Sequence, residues 1–240
     1  IAYSSVAIGF LGFTVWAHHM YATGLGDIAN TAFATGSFLI GVPTGVKIFN
    51  WIGTIWGGSL RFTTAMKFAT GFIGTFTVGG LSGIMLASPP LDFQETDTYF
   101  VVAHLHYVLF GGVVMGVFSG VYYWWPKMFG RALDERLGNW HFWTQFVAFN
   151  ITFFPMHWLG MEGMPRRIYT YFPNQGFDLW NYVATWGSYL LGAAVLIFVA
   201  NAILTSMKPA DAPSNPWEAA TLEWAVPSPP PAHNFDFEPV

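Results

Sequence analysis

Six long apolar runs, separated by short polar connections, organise the chain. They extend over Tyr3 to His19, Thr31 to Trp56, Met66 to Ser88, Thr98 to Trp125, Trp140 to Gly160 and Trp180 to Met207. A helix crosses hydrocarbon with about 20 mainly apolar residues, because every backbone N–H and C=O must be satisfied inside the segment. The connections carry the chain breakers: Gly24-Leu25-Gly26-Asp27, Gly57-Gly58, Pro89-Pro90, Pro126 to Gly138 and Met161 to Asn174. Period-two alternation is absent, and runs such as Ala193 to Leu204 exceed a barrel strand. The pattern predicts an all-α, polytopic membrane protein with six transmembrane helices (3–19, 31–56, 66–88, 98–125, 140–160, 180–207). After Met207 comes a Pro-rich tail, residues 208–240, with Pro227-Ser228-Pro229-Pro230-Pro231 expected to lie as polyproline II on the cytoplasmic face.

Composition sharpens this picture. Of 240 residues 53% are hydrophobic, 19% aromatic and 9% charged, against roughly 25% charged in soluble domains. A soluble globular fold and intrinsic disorder are both excluded. With no cysteine, disulfides, thiolate catalysis and Cys-ligated metals are excluded, and the seven histidines become the main metal-ligand candidates. The net charge of −4 gives no basic footprint for nucleic acid.

Charge position reads topology. Arg61, Lys67, Lys127, Arg131, Arg136 and Lys208 fall on the face that holds the C-terminus, which the positive-inside bias assigns to the cytoplasm. Asp27, Asp92, Glu95, Asp97, Glu162 and Asp178 collect on the other face, where the adjacent Arg166 and Arg167 break the bias and call for a local anionic partner. Residue 1 already lies within an apolar run and no cleavage motif follows, so no signal peptide is expected and the chain reads as a fragment.

Histidine at membrane depth is costly without a partner. His104 and His106 sit in a stretch, Thr98 to Pro126, without one formal charge. Two residues advance about 200° around an α-helix, so these imidazoles face nearly opposite ways and are expected to serve two separate sites, or else each hydrogen-bonds a neighbouring helix as a neutral side chain. His18 and His19, adjacent at the end of the first run, differ by only about 100° and can both reach one ion at a frayed helix end. His157 reads as a hydrogen-bonding partner, His141 as a solvent-facing interfacial residue, and His233 lies in the tail. Lys47 is a formal charge well inside a run, at a cost of about 2.5–3.5 kcal/mol. That cost suggests a proton carrier, with Thr44 one turn earlier on the same face, the alternative being a side chain that snorkels to the cytoplasmic interface. The guanidinium forks of Arg166 and Arg167 match haem carboxylates, or else the carboxylates of Asp178 or Glu162.

The chain resembles the second half of subunit I of the haem-copper cytochrome c oxidases. Four motifs carry the resemblance: Trp16-Ala17-His18-His19-Met20, Pro43-Thr44-Gly45-Val46-Lys47, Asp97-Thr98-Tyr99 through His104-Leu105-His106-Tyr107, and Gly163-Met164-Pro165-Arg166-Arg167. It implies half of a twelve-helix bundle, helices seven to twelve. By that resemblance His18 and His19 hold the copper (CuB) of a binuclear centre, His104 binds its high-spin haem, and His106 a low-spin haem. Two haems, of type a, and one copper are implied. Lys47 and Thr44 belong to a proton path, and Arg166 and Arg167 to haem propionates. Thr96 stands where the family has a His before the Asp of Asp97-Thr98-Tyr99, which leaves Asp97 alone as a magnesium candidate. The remaining haem and copper ligands are expected on other helices of the oxidase. Partners implied are subunits II and III, cytochrome c and the bilayer. Leu222-Glu223-Trp224 and His233-Asn234-Phe235 look like bacterial members, placing the protein in a bacterial inner membrane. The activity implied is reduction of dioxygen to water coupled to proton pumping. The competing readings are a quinol-oxidising relative, a nitric oxide reductase, and a non-redox proton or metal transporter.

Overall fold

The computed structural model describes residues 1–235 and 238. The end of the predicted tail, residues 236, 237, 239 and 240, lies outside the described residues. Helices dominate: α1 (Ala2–Leu11), α2 (Asp27–Ile55), α3 (Thr64–Leu86), α4 (Pro89–Glu95), α5 (Tyr99–Val108), α6 (Met115–Phe129), α7 (Glu135–Phe153), α8 (Pro155–Met161) and α9 (Asp178–Ser206). Among the described residues four helices are long and apolar enough to cross a membrane: α2, α3, the continuous α5–α6 rod over Tyr99–Phe129, and α9.

Two of the six predicted runs depart from a single long helix. The first tightens after α1 into a 3-10 turn, Gly12–Thr14, and then a 3-10 segment, Trp16–Thr23, that stops at left-handed Gly24 (φ 86°). The fifth starts earlier than predicted, at Glu135, and is interrupted at Phe154 ahead of Pro155, whose ring nitrogen has no hydrogen to continue the ladder. Its polar residues His141, Gln145, Asn150 and Thr152 dilute its hydrophobicity but are not wasted, since His141 and Gln145 are fully buried.

The α5–α6 rod carries a π-helical stretch, Leu109–Val114, in its middle. Wider i→i+5 turns leave carbonyls less tightly paired and are frequent at functional sites. Here the Thr75 hydroxyl of α3 donates to Gly111 O at 2.6 Å. A Cβ at Gly111 would stand 2.9 Å from Thr75 Cβ, so glycine lets α3 come this close.

The core lies between α3, the α5–α6 rod and α7, built from Phe68, Tyr107, Met115, Tyr122, Phe142, Phe149 and Phe153. Into it is set a closed polar chain. Gln145 Oε1 accepts from His141 Nε2 at 2.8 Å, which leaves Nδ1 to accept from the Tyr122 hydroxyl at 3.1 Å. His141 is therefore a core residue, not the solvent-facing one expected. The reason is its helix face, which turns toward α3, α6 and α9, against the rings of Phe68, Phe118 and Phe198.

The described part of the tail packs against the helices. Lys127, 7% exposed near the end of α6, donates to Ser214 O, Val226 O and Pro227 O at 3.1, 2.7 and 3.3 Å. Its ammonium also sits 4.9 Å above the buried Trp224 ring. Trp217 Nε1 donates to Tyr123 O at 2.8 Å, and Glu218 pairs with Arg61 at 2.7 Å. Carbonyls and an aromatic face satisfy the cation, and the Glu223 carboxylate adds an attraction.

Candidate functional site

The 3-10 segment after α1 departs from α-helical geometry where the paired histidines stand. His18 and His19 bring their Nε2 atoms to 3.0 Å from each other. The Ser37 hydroxyl of α2 donates to Phe33 O at 2.6 Å, so its oxygen is left to accept from His18 Nδ1 at 3.0 Å. That bond places the proton on Nδ1 and a lone pair on Nε2. A close approach makes it possible: a Cβ at Gly36 would lie 2.7 Å from Thr14 O.

His104 and His106 leave α5 in different directions. His104 Nδ1 donates to Gly79 O of α3 at 2.9 Å. His106 Nδ1 donates to Val102 O one turn back at 2.8 Å, and its ring stacks on Phe153 of α7 with centroids 4.1 Å apart and planes at 14°. Each ring thus keeps Nε2 uncommitted, one toward α2 and α3 and the other beside α7. His157 follows its predicted role, with Nδ1 donating to Phe154 O at 3.1 Å.

One cavity of about 490 Å³ collects His18, His19, His104, Thr44, Asp92 and Arg166 along its lining. The Thr44 hydroxyl donates to Ile40 O at 2.8 Å. Lys47, one turn further, places its ammonium 5.2 Å from the Trp51 ring centroid and does not line the cavity. His106 and Arg167 also lie outside it, and Arg167 is exposed with a left-handed backbone (φ 66°).

Arg166 closes the acidic end. Its side chain contacts Asp97 at 2.6 Å, and its backbone N–H donates to Asp97 O at 2.8 Å. The pairing is with Asp97, not with Asp178 or Glu162, because an isolated bridge between Thr98 and Pro165 sets the two loops side by side. The Asp97 carboxylate is thereby committed to a guanidinium. Among the described residues no group of three or more His, Asp or Glu side chains gathers to hold a metal alone.

Asp92 was not singled out by its sequence context, a proline-led turn at the acidic end. It is 5% exposed, and its Oδ2 is buried without a hydrogen-bond partner among the described residues. Burial first, and then the Asp97 charge, push its carboxyl up to about 6. Ser37 and Ser82 were likewise missed. The only signal for Ser82 was its setting in Gly79-Gly80-Leu81-Ser82-Gly83, where glycines mark close helix approach.

The donors present fit the groups that the resemblance implies. Two imidazole nitrogens 3.0 Å apart suit neighbouring positions on one ion, since metal–imidazole bonds of about 2.0 Å from each can meet at a single point. A Cβ at Gly83 would stand 2.8 Å from His104 Cε1, so this position makes room for the ring that faces the cavity. The Arg166 guanidinium gives the cavity's acidic end the cation that propionates need, and the orphaned Asp92 carboxyl can pair with one only in its protonated form.

Comparison with known proteins agrees. The sequence model of the family described as cytochrome c and quinol oxidase polypeptide I matches residues 1–190. Cytochrome c oxidase subunit 1 of Bacillus sp. (strain PS3) is 51% identical over 241 residues, covering 100% of this chain and 39% of that protein. Its counterpart in Bacillus subtilis (strain 168) is 51% identical over 236 residues, 98% of this chain and 38% of that one. A probable cytochrome c oxidase subunit 1-beta of Nocardia farcinica is 54% identical over 238 residues, 98% and 40%. The chain thus spans about 40% of the length of these relatives. In fold it is similar to a heme-copper terminal oxidase dimer solved by cryo-EM, with a TM-score of 0.69 at 18% identity over 80% of this chain and 39% of that one. Helices of membrane-crossing length, the matched family model and relatives at half identity leave one assignment: the chain belongs to the cytochrome c and quinol oxidase polypeptide I family.

Proposed function

We propose that this chain supplies one side of the catalytic centre of a proton-pumping terminal oxidase that reduces dioxygen to water with electrons from cytochrome c. The observation that carries the reading is the division on α5. His104 faces a cavity shared with His18 and His19, and His106, two residues on, faces away from it toward α7. A single metal chelated by both would need the rings on one face.

In this reading His104 binds the iron of a high-spin haem, His106 that of a low-spin haem, both of type a, and His18 with His19 a copper ion. The metals, when bound, supply the redox chemistry on dioxygen. The chain's own contribution is positional and protic. Ser37 and Gly79 fix the imidazole tautomers so that each Nε2 offers its lone pair, the usual division between ligand atom and supporting hydrogen bond. Apolar walls of Ile40, Ile48 and Leu86 exclude bulk water from the cavity. Lys47 takes up protons from the cytoplasmic end and passes them toward the Thr44 hydroxyl, which lines the cavity. Arg166 and Arg167 neutralise propionates on the outer side, with Arg166 anchored by Asp97.

The wider assembly follows. Six crossings place residues 208–240 on the cytoplasmic side of a bacterial inner membrane, with α1 and its 3-10 extension as the first crossing and α7–α8 as the fifth. The tail then forms a cytoplasmic segment after one helical domain, 1–207. The remaining ligands come from other helices of the oxidase, and subunits II and III with cytochrome c are partners. The test is a reduced-minus-oxidised spectrum of the purified oxidase with and without carbon monoxide. Haem bands of which one set shifts with carbon monoxide support the oxidase; absence of haem bands contradicts it and leaves a proton or metal transporter.

A further inference from the structure

The polar ring around His104 contains a group that the roles above do not use. On α3, the Ser82 hydroxyl donates to Gly79 O at 2.9 Å, and its oxygen lies 3.1 Å from His104 Nδ1. His104 Nδ1 is itself 2.9 Å from the same Gly79 O. Three polar atoms therefore form a closed triangle, with Ser82 5% exposed.

The proton arrangement has one solution. A carbonyl only accepts, so the short contact to Gly79 O requires a proton on Nδ1. The hydroxyl hydrogen of Ser82 is committed to that same carbonyl, which leaves only its lone pair to face the imidazole. Nδ1–H is thus shared between two acceptors, and Nε2 is deprotonated. Two glycines make the triangle possible. A Cβ at Gly79 would meet the Tyr107 backbone and Cβ at 3.0 Å, and one at Gly83 would meet the His104 ring at 2.8 Å.

We propose that Ser82 is a positioning residue for His104: its hydroxyl oxygen, as second acceptor for Nδ1–H, fixes the ring's rotation and tautomer and strengthens Nε2 as a donor to iron. The inference rests on His104 being a haem ligand. An acceptor on the far nitrogen gives an imidazole partial imidazolate character, which strengthens its bond to a metal and favours the oxidised ion. Ser82 touches neither metal nor substrate, and acts through His104.

The test is resonance Raman spectroscopy of the reduced, assembled oxidase, reading the iron–histidine stretch of the high-spin haem, with the midpoint potential of that haem as a second readout. Ser82→Ala lowers the stretching frequency and raises the potential, and Ser82→Thr, which keeps the hydroxyl, restores both. Ser82→Cys, close to serine in size with a weaker acceptor, falls between and serves if the alanine variant does not assemble. The low-spin haem spectrum, reporting His106 on the same helix, stays unchanged and excludes a general loss of structure. An unchanged or raised frequency in both Ser82→Ala and Ser82→Cys overturns the proposal. An iron–histidine band that survives in His104→Ala overturns the ligand assignment itself, and this inference with it, so the two failures are told apart.

Discussion

His18 Nε2 and His19 Nε2 face each other at 3.0 Å, although the two residues are neighbours in sequence. On a regular α-helix adjacent side chains diverge by about 100°. In the 3-10 segment Trp16–Thr23 neighbours diverge further, by about 120°, so the rings meet through their side-chain torsions, with that of His18 held by the Ser37 bond.

That convergence predicts a graded loss of copper. His18→Ala and His19→Ala each abolish copper binding while the haem-to-protein ratio is kept. Ser37→Ala, which removes only the supporting bond, weakens it by roughly 10- to 100-fold. Metal analysis of the purified variants under chelator titration checks the order. Equal retention of copper in all three would sink the assignment.

The buried chain Tyr122–His141–Gln145 predicts a stability effect. Tyr122→Phe leaves His141 Nδ1 buried with no donor, at a cost of about 1–3 kcal/mol. The double variant Tyr122→Phe/His141→Leu is milder than the sum of the single changes, because it removes the stranded acceptor as well. Thermal denaturation of the detergent-solubilised protein measures both.

Asp92 predicts a carboxyl that titrates unusually high for an aspartate. Burial and the Asp97 charge raise it to about 6 from the model-peptide value of 3.8. A carboxyl whose folded value is raised stabilises the fold fully below the unfolded value and loses that contribution as pH rises through the folded one. Between about pH 4 and 6 the wild type therefore loses stability with rising pH relative to Asp92→Asn. Infrared spectroscopy should show a protonated carboxyl band that fades through about pH 6 and is missing in Asp92→Asn.

Lys127 predicts that the tail is part of the folded unit. Lys127→Met strands three carbonyl oxygens and removes the cation over Trp224. Limited proteolysis after this change cuts within residues 208–227, and Trp224 fluorescence shifts red. A cleavage pattern identical to wild type would show that the tail seats without the lysine.

Much of the architecture was legible because hydrophobic length is a strong signal: α2, α3, the α5–α6 rod and α9 each coincide with a predicted run. Breaks within a run were less so. Just before the 3-10 segment at His18, Thr14 packs close on Gly36 of α2, a contact between distant residues that no local pattern encodes. The opposed histidines of α5 were legible from helical geometry alone. His141 was misread because neighbouring Trp140 marks an interface while its own helix face turns inward. Ser37 and Ser82 were silent for a different reason. Serine in a helix most often bonds its own preceding turn, and both do so while also reaching a histidine on another segment.

The measurement closest to the central claim compares His104→Ala and His106→Ala in the assembled oxidase by optical and electron paramagnetic resonance spectroscopy. His104→Ala is expected to lose the carbon-monoxide-reactive high-spin haem and keep the low-spin signal, and His106→Ala to do the reverse. If both variants lose the same haem, or neither loses any, the two histidines do not serve separate irons and the account is contradicted.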